Sequence, residues 1–451
     1  MRAGARAARV QALSAGEDHH ASLRPEGRRS RHQVGRRPRR AGCDSRLADA
    51  LAVKFPRGLT ALRERNYVLY FAGQFTSQLG TWAEQTAVAW ILYELTNSPL
   101  LLGLSGLARA VPMIALTLFG GAVADRVPRR ALLLLTESAM LLVSLAVGLL
   151  ALAGELQYWH LYVLSFASGT LSAFSVPARQ ALFVGLVPRS AMQSAVSLNA
   201  VAVRSGALIG PSLGGLAVAY GGYALPFIIN AASFLGMLLA LLAMRLPRAR
   251  PDAAALPRGL WHGMTHGLAF VWENPLLKVA LGLEVVSGLF GHNVTLITII
   301  ARDVIGTGPE GLGLLMSALG AGGLLAMSIM VAFEVKKHVH VILAAGTVYT
   351  LLLAAFALSP WLALSVSLLF ALGAVDGAWA VTRNTLAQLL VPDELRGRVM
   401  SVVVLATRGS APLGRLQGGL LAGLVGGPAA VLLGAAVIGA AVVRSWRLRL
   451  S

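Results

Sequence analysis

From residue 67 onward the chain alternates long apolar runs with short polar or Gly/Pro-bearing breaks. The runs lie near 67–93, 100–122, 131–153, 159–182, 192–219, 224–244, 277–300, 311–333, 340–358, 361–386, 397–424 and 429–446. Apolar runs of roughly 20 residues match a hydrocarbon core of about 30 Å. The pattern predicts an all-α membrane protein with twelve transmembrane helices. One break, 245–276, is too polar to span and separates two sets of six runs. Within it Leu260, Met264, Leu268 and Val271 recur every three to four residues, which predicts an interfacial amphipathic helix with Trp261 and Trp272 at headgroup level.

The two sets repeat each other. An ungapped shift of 204 positions aligns Gly169 with Gly373, Arg179 with Arg383, Leu182 with Leu386 and Val187-Pro188 with Val391-Pro392. The register continues through Ser197 with Ser401, Arg204 with Arg408, Gly210 with Gly414 and Gly214-Gly215-Leu216 with Gly418-Gly419-Leu420. Two parallel, pseudo-symmetric six-helix bundles follow, related by an axis along the membrane normal, an arrangement that places a substrate site between the halves at mid-depth. The expected organisation is a basic tail at 1–58, an N-terminal bundle at 59–245, a linker with its amphipathic helix at 246–276 and a C-terminal bundle at 277–451.

Composition agrees with a lipid environment: 56% of the 451 residues are hydrophobic and 13% charged, and the mean hydropathy is +0.68. A net charge of +19 would ordinarily suggest nucleic acid, but many of the arginines crowd the tail, in stretches such as RRSRHQVGRRPRR that cannot bury a core. That tail reads as disordered and cytoplasmic, either a polybasic anchor for anionic lipid or a segment without a role; nucleic acid is not an expected partner. Cys43 is the only cysteine, which excludes disulfides and cysteine-based metal clusters within one chain. Between the runs, basic residues such as Arg126, Arg129, Arg130, Arg189, Arg245, Lys336, Lys337, Arg396, Arg398 and Arg444 fall on one side, and Arg302 alone falls on the other. By the positive-inside rule both termini are cytoplasmic.

Two motifs suggest chemistry that their settings do not support. Gly210-Pro211-Ser212-Leu213-Gly214 fits the G-x-S-x-G of a nucleophile elbow, yet Ser212 lies in an apolar run of helical length with no histidine. His262 and His266 are spaced as two metal ligands would be, but HGMTH lacks a glutamate and no third ligand is evident. The expectation is a protein that is not an enzyme and has no cofactor and no metal. Nothing resembles a Walker A loop.

Other motifs carry a resemblance. Gly121-Ala-Val-Ala-Asp125-Arg126-Val-Pro-Arg129-Arg130 resembles the G-x-x-x-D-R-x-G-R-R loop of the major facilitator superfamily, with Pro128 where glycine is usual. Gly206, Gly210, Pro211, Gly214 and Gly215 resemble the antiporter motif on the fifth helix of its exporters. GTWAEQTAVAWILYELTNSP (80–99), PARQALFVGLVP (177–188), FIINAASFLG (227–236) and VPDELRGRVMS (391–401) are similar to its enterobactin-exporter-like branch. That branch often has an acid where this chain has Ser175. The resemblance implies a monomeric multi-pass transporter of the bacterial inner membrane, exporting an amphipathic small molecule such as a siderophore or antibiotic by proton antiport. In that family the Asp125 loop meets the start of the eleventh helix, near Asp393 to Arg398, and helps to close a cytoplasmic gate. Lysophospholipid transport and a non-transporting sensor or scaffold are the alternatives.

Polar residues within the runs give the candidate sites. Gln74, Gln78, Thr81 and Gln85, spaced four, three and four, form one helical face with Ser77 and Glu84 beside it, and are expected to line a wet cavity. Glu284, Gly288, Gly291 and Thr295 repeat the idea in the seventh run, and Asp376 adds a carboxylate from the tenth. Glu84, Glu284 and Asp376 are the candidate proton carriers. Arg109 is expected to share a depth with Glu84, because both are equally far from the Leu95–Ser98 loop on antiparallel helices, and to pair with it if they face.

Overall fold

The computed structural model describes residues 57–245, 260–332 and 338–450. The tail before residue 57 with Cys43, the linker stretch 246–259, Lys336 and Lys337 lie outside the described residues. Six helices precede the linker: α1 (Arg65–Thr96), α2 (Pro99–Arg126), α3 (Arg129–Leu152), α4 (Tyr158–Val184), α5 (Met192–Gly221) and α6 (Ala224–Ala243). The amphipathic helix is α7 (Leu260–Glu273). After it come α8 (Pro275–Phe290), α9 (Val294–Ile299), α10 (Pro309–Ala332), α11 (His338–Ala357), α12 (Leu362–Leu390), α13 (Asp393–Val425) and α14 (Gly427–Leu450).

Short connections are built from capping chemistry. Asn97 ends α1 in the left-handed region at φ 48°, and Ser98 then accepts the Leu101 N–H at 3.3 Å, with Pro99 at the first helical position where an N–H is not needed. Asn274 and Pro275 repeat the device at the start of α8, the asparagine side chain accepting from Leu276 and Leu277 at 3.1 and 3.2 Å. By length and composition, 10 helices are able to cross a membrane. α1 and α13 are long enough but too polar, since they carry residues such as Gln74, Gln78, Glu84, Gln85, Arg408 and Arg415.

The seventh apolar run is not one helix. α8 stops at Phe290, residues Gly291–Asn293 are unwound, α9 restarts on an Asn293 side chain that accepts the Leu296 N–H at 3.0 Å, and Ile300–Val304 form a π-helical turn. An asparagine cap inside an apolar run outweighs hydrophobic continuity here. α7 packs on α13 as well as on α8: Val271 is buried, a Cβ at Gly267 would sit 2.7 Å from the Arg398 carbonyl oxygen, and Trp272 stays exposed. The side chains of Trp261, His262 and His266 lie outside the described residues.

In the N-terminal bundle α1 packs on α5 and α6, α2 on α4, and α3 on α4 and α6; in the C-terminal bundle α10 packs on α12, α11 on α12 and α14, and α8 on α13 and α14. The halves meet through α5 with α10 and α2 with α13. α5 works on two faces. Cβ atoms at Gly206, Gly210 and Gly214 would run into Gln78, Trp82 and the Ala83 carbonyl of α1, whereas one at Gly215 would overlap the Pro309 carbonyl of α10. Reciprocally, a Cβ at Gly313 would approach the Pro211 carbonyl to 2.6 Å and one at Gly320 the Ala207 carbonyl to 2.6 Å. Small residues let backbones approach where side chains would hold them apart. The Ser212 N–H, one residue past Pro211, donates to the Ser317 hydroxyl at 3.1 Å, and the two hydroxyls lie 2.8 Å apart. Ser212 is thus a joint between halves, with no base beside it.

Gly214→Val is expected to destabilise by about 1–3 kcal/mol, the usual range for overpacking, because the added Cβ meets backbone that cannot swing away. Gly121→Ala should not destabilise and should gain up to about 1 kcal/mol from helix propensity, since nothing lies within 4 Å of a Cβ there. Thermal unfolding of the two purified variants, followed by intrinsic fluorescence, separates these outcomes.

Candidate functional site

At mid-depth between the halves lies a cavity of about 400 Å³ whose lining includes Glu284, Gly288, His292, Asn293, Tyr349 and Asp376 from the C-terminal half and Trp82 and Arg204 from the N-terminal half. A smaller space of about 50 Å³ shares Trp82, Val294, Met316 and Arg415 with it, and adds Glu84, Gln85, Ser105, Arg109, Ser165 and Ser168. Contacts across the halves gather at one end. There the Tyr93 hydroxyl at the end of α1 donates to Asp303 of the π turn, Arg302 donates to the Tyr93 carbonyl at 3.0 Å, and Gly419 sits against the Pro99 carbonyl. Arg302, the lone basic residue on that side, is a clamp between halves.

The opposite end carries the basic loops. Asp125 and Arg126 are exposed, and Asp125 has no hydrogen bond or ion pair among the described residues. Arg129 donates to the Ala181 carbonyl at 2.9 Å and Arg130 to the Leu242 carbonyl at 3.0 Å, so each places its charge on the last turn of a neighbouring helix, α4 or α6, where carbonyls lack intrahelical partners. In this conformation the gate motif does its binding within its own half.

Charged groups inside the bundles divide into paired and open ones. In the C-terminal half Glu284 of α8 forms an ion pair with Arg383 of α12 on the cavity wall. Asp376, one helical stretch along α12, faces the cavity exposed and takes no partner among the described residues. The unwinding of Gly291–Asn293 brings His292 Nδ1 within 2.7 Å of the Tyr349 hydroxyl, which also accepts the His292 backbone N–H at 3.1 Å. In the N-terminal half Glu84 is buried and is held by the Ser144 hydroxyl and, at 2.7 Å, by the Asn230 amide. Arg179 pairs with the buried Glu137 and donates to Gln74 at 3.0 Å.

The predicted site residues therefore separate. Glu284, Gly288 and Asp376 lie together on the large cavity, and Glu84, Gln85 and Arg109 together on the small one. Glu84 and Arg109 share a depth as the loop geometry implies, but they form no ion pair: helix azimuth directs the Glu84 carboxylate to α3 and α6. The stripe on α1 is divided as well. Gln74 is taken up by Arg179, Ser77 is buried, and Gln78 packs on Gly206 of α5. Gly291 lies against the Tyr349 hydroxyl and Thr295 is fully buried. Trp82, His292, Asn293, Tyr349 and Arg415 line the site without having been singled out in the sequence, and Glu137 joins the network behind it. A Gly-His-Asn interruption of an apolar run and the repeat equivalence of Arg179 with Arg383 were the available signals.

A model of the transmembrane secretion effector family matches residues 57–451. YfiS of Bacillus subtilis (strain 168), an uncharacterised MFS-type transporter, is 30% identical over 378 residues, covering 80% of this chain and 88% of its own. The multidrug efflux pump Tap of Mycolicibacterium fortuitum is 27% identical over 376 residues, covering 82% and 92%. Among solved structures, a bacterial homologue of the human lysosomal transporter Spinster, inward-facing and unoccupied, superposes with a TM-score of 0.58 at 16% identity over 86% of this chain and 95% of that one. At that identity the likeness is one of fold.

Removing one partner of a buried ion pair leaves the other uncompensated. Arg179→Met is expected to lower stability by about 3–5 kcal/mol, because Glu137 is only 1% exposed. Combining it with Glu137→Leu should recover most of the loss, and a double-mutant cycle on thermal unfolding measures the coupling.

Proposed function

This chain belongs to the transmembrane secretion effector family of the major facilitator superfamily, and we propose that it is a secondary exporter that moves an amphipathic small molecule outward in exchange for protons by alternating access. It is a multi-pass membrane transporter, and under this reading it works in the bacterial inner membrane. The observation that carries the proposal is the Glu284–Arg383 pair beside the unpartnered Asp376 on the wall of one inter-half cavity. A carboxylate that is ion-paired when charged loses most of that attraction on taking a proton, so protonation of Glu284 releases α8 from α12. Asp376, on the same helix as Arg383, is the second carboxylate able to exchange protons with cavity water. His292 and Asn293 of the unwound stretch line the same cavity, and irregular backbone in a membrane is tolerated where it lines a cavity.

The positive-inside distribution makes the loop end cytoplasmic and the Tyr93–Asp303–Arg302 cluster the outer seal. Under this reading the described state is closed outward, with Arg204 of the cavity wall exposed. In the opposite state Asp125 meets the positive end of α13, which supplies unpaired N–H groups and a favourable dipole. The apolar and aromatic lining from Trp82, Met316, Met327 and Tyr349 suits a lipophilic body, as does relationship to a multidrug efflux pump.

Three variants and the wild type test this in inside-out vesicles assayed with a compound panel, with and without a protonophore. Glu284→Gln should abolish proton-driven accumulation while leaving downhill exchange of the same compound, and Asp376→Asn should weaken the drive in the same direction. Asp125→Asn should reach normal membrane abundance yet transport slowly. Wild-type accumulation that is insensitive to the protonophore would reject proton coupling.

A further inference from the structure

The smaller cavity is lined by two guanidinium groups and a single carboxylate, so its wall carries one cation in excess. Arg109 of α2 and Arg415 of α13 both line it, one from each half, and neither has a hydrogen-bond or ion-pair partner among the described residues. Their placement is built into the helix contact. A Cβ at Gly106 would meet Arg415 Cδ at 2.7 Å and Cβ at 3.1 Å, so the aliphatic stem of Arg415 lies across Gly106, one turn from Arg109 on the same face of α2. A Cβ at Gly103 would sit 2.6 Å from the Arg415 carbonyl oxygen, which holds the two helices at backbone contact there. Ser105, Ser165 and Gln85 add uncharged hydrogen-bonding groups.

The one acid on this wall, Glu84, is engaged from behind by Ser144 and Asn230, and it balances at most one of the two cations. An uncompensated charge inside a membrane protein is costly and marks a ligand or ion path. Guanidinium groups bind oxyanions through charge-assisted, often bidentate hydrogen bonds. We propose that Arg109 and Arg415 together form an anion-binding subsite for the head of an amphipathic anion, whose apolar body lies against Trp82 and Met316 at the junction with the larger cavity. The inference rests on the exporter reading and adds the charge class of the substrate. Because the two arginines come from opposite halves at their α2–α13 contact, a bound anion also holds that contact together.

The test uses the full chain in uncharged detergent and calorimetric titration against empty micelles. The probes are 2-naphthoate as a soluble aromatic anion, lysophosphatidylglycerol as a lipid anion and 2-naphthylmethylammonium as the matched cation. At least one anion should bind saturably and roughly ten-fold or more tighter than the cation. Arg109→Gln and Arg415→Gln should each weaken that anion by a similar factor without altering cation binding, and Arg415→Lys, which keeps the charge but not the planar fork, should keep the preference for the anion while losing part of the affinity. Loss with lysophosphatidylglycerol alone assigns the head group to a lipid; loss with 2-naphthoate assigns it to a soluble solute. Cation binding as tight as that of both anions overturns the subsite, as does unchanged anion binding in glutamine variants that melt like the wild type. Should the glutamine variants not fold, the wild-type charge preference and the lysine variant still decide. In proteoliposomes, an anion that binds but is not carried under a proton gradient refutes the exporter and leaves the subsite standing. A cation expelled in preference to the anions refutes the subsite and leaves the exporter.

Discussion

Backbone contact along α5 is the constraint from which the rest of this architecture follows. Gly206, Gly210 and Gly214 bring α1 onto one face, and Gly215, with Pro211 and Ser212, brings α10 onto the other. Helices in lipid gain little from hiding apolar side chains, since the lipid is as apolar as they are, so association depends on close packing and interhelical hydrogen bonds. With α5 gripping both neighbours, the Tyr93–Asp303 and α2–α13 contacts fall at the same end, and the space between the halves is left at mid-depth. The cavity is the volume that the glycine contacts leave over.

Polar groups inside the bundles sort according to that volume. Where a side chain points into its own half, it is satisfied locally: Glu84 by Ser144 and Asn230, Glu137 by Arg179, Gln74 by Arg179. On the walls between the halves, Asp376, Arg109 and Arg415 have no hydrogen-bond or ion-pair partner among the described residues, while Glu284 beside Asp376 is paired with Arg383. A satisfied buried network stiffens its bundle, while an open charge on a wet wall is free to respond to ligand or proton.

Much of this was legible in the sequence, because run length and the repeat are one-dimensional signals. The twelve runs, the polar break, the amphipathic segment and the equivalence of the halves all follow from periodicity and spacing. Depth was legible too: loop counting put Glu84 and Arg109 at one level, and both line one cavity. Azimuth was not. The rotation of α1 is set by three glycines of a different helix, and a small rotation decides whether Glu84 faces Arg109 or Asn230 and whether Gln74 meets water or Arg179. The break at Gly291–Asn293 was hidden for a different reason: an apolar run reads as one helix by hydropathy whether or not an asparagine recaps it midway.

The repeat, finally, separates what the backbone keeps from what the chemistry changes. Arg179 and Arg383 occupy equivalent positions on α4 and α12, yet their carboxylates come from non-equivalent helices, Glu137 from α3 and Glu284 from α8. α8 is the counterpart of α1, and α1 offers Arg179 only the neutral Gln74. The N-terminal arginine thus closes a pair whose acid is 1% exposed, whereas the C-terminal arginine closes one whose acid is 20% exposed on the cavity wall. The second acid is the more accessible to water, as the proposed exchange of protons at that pair requires. The repeat thus carries the same cation twice, and the source of its partner buries one acid and leaves the other on the cavity wall.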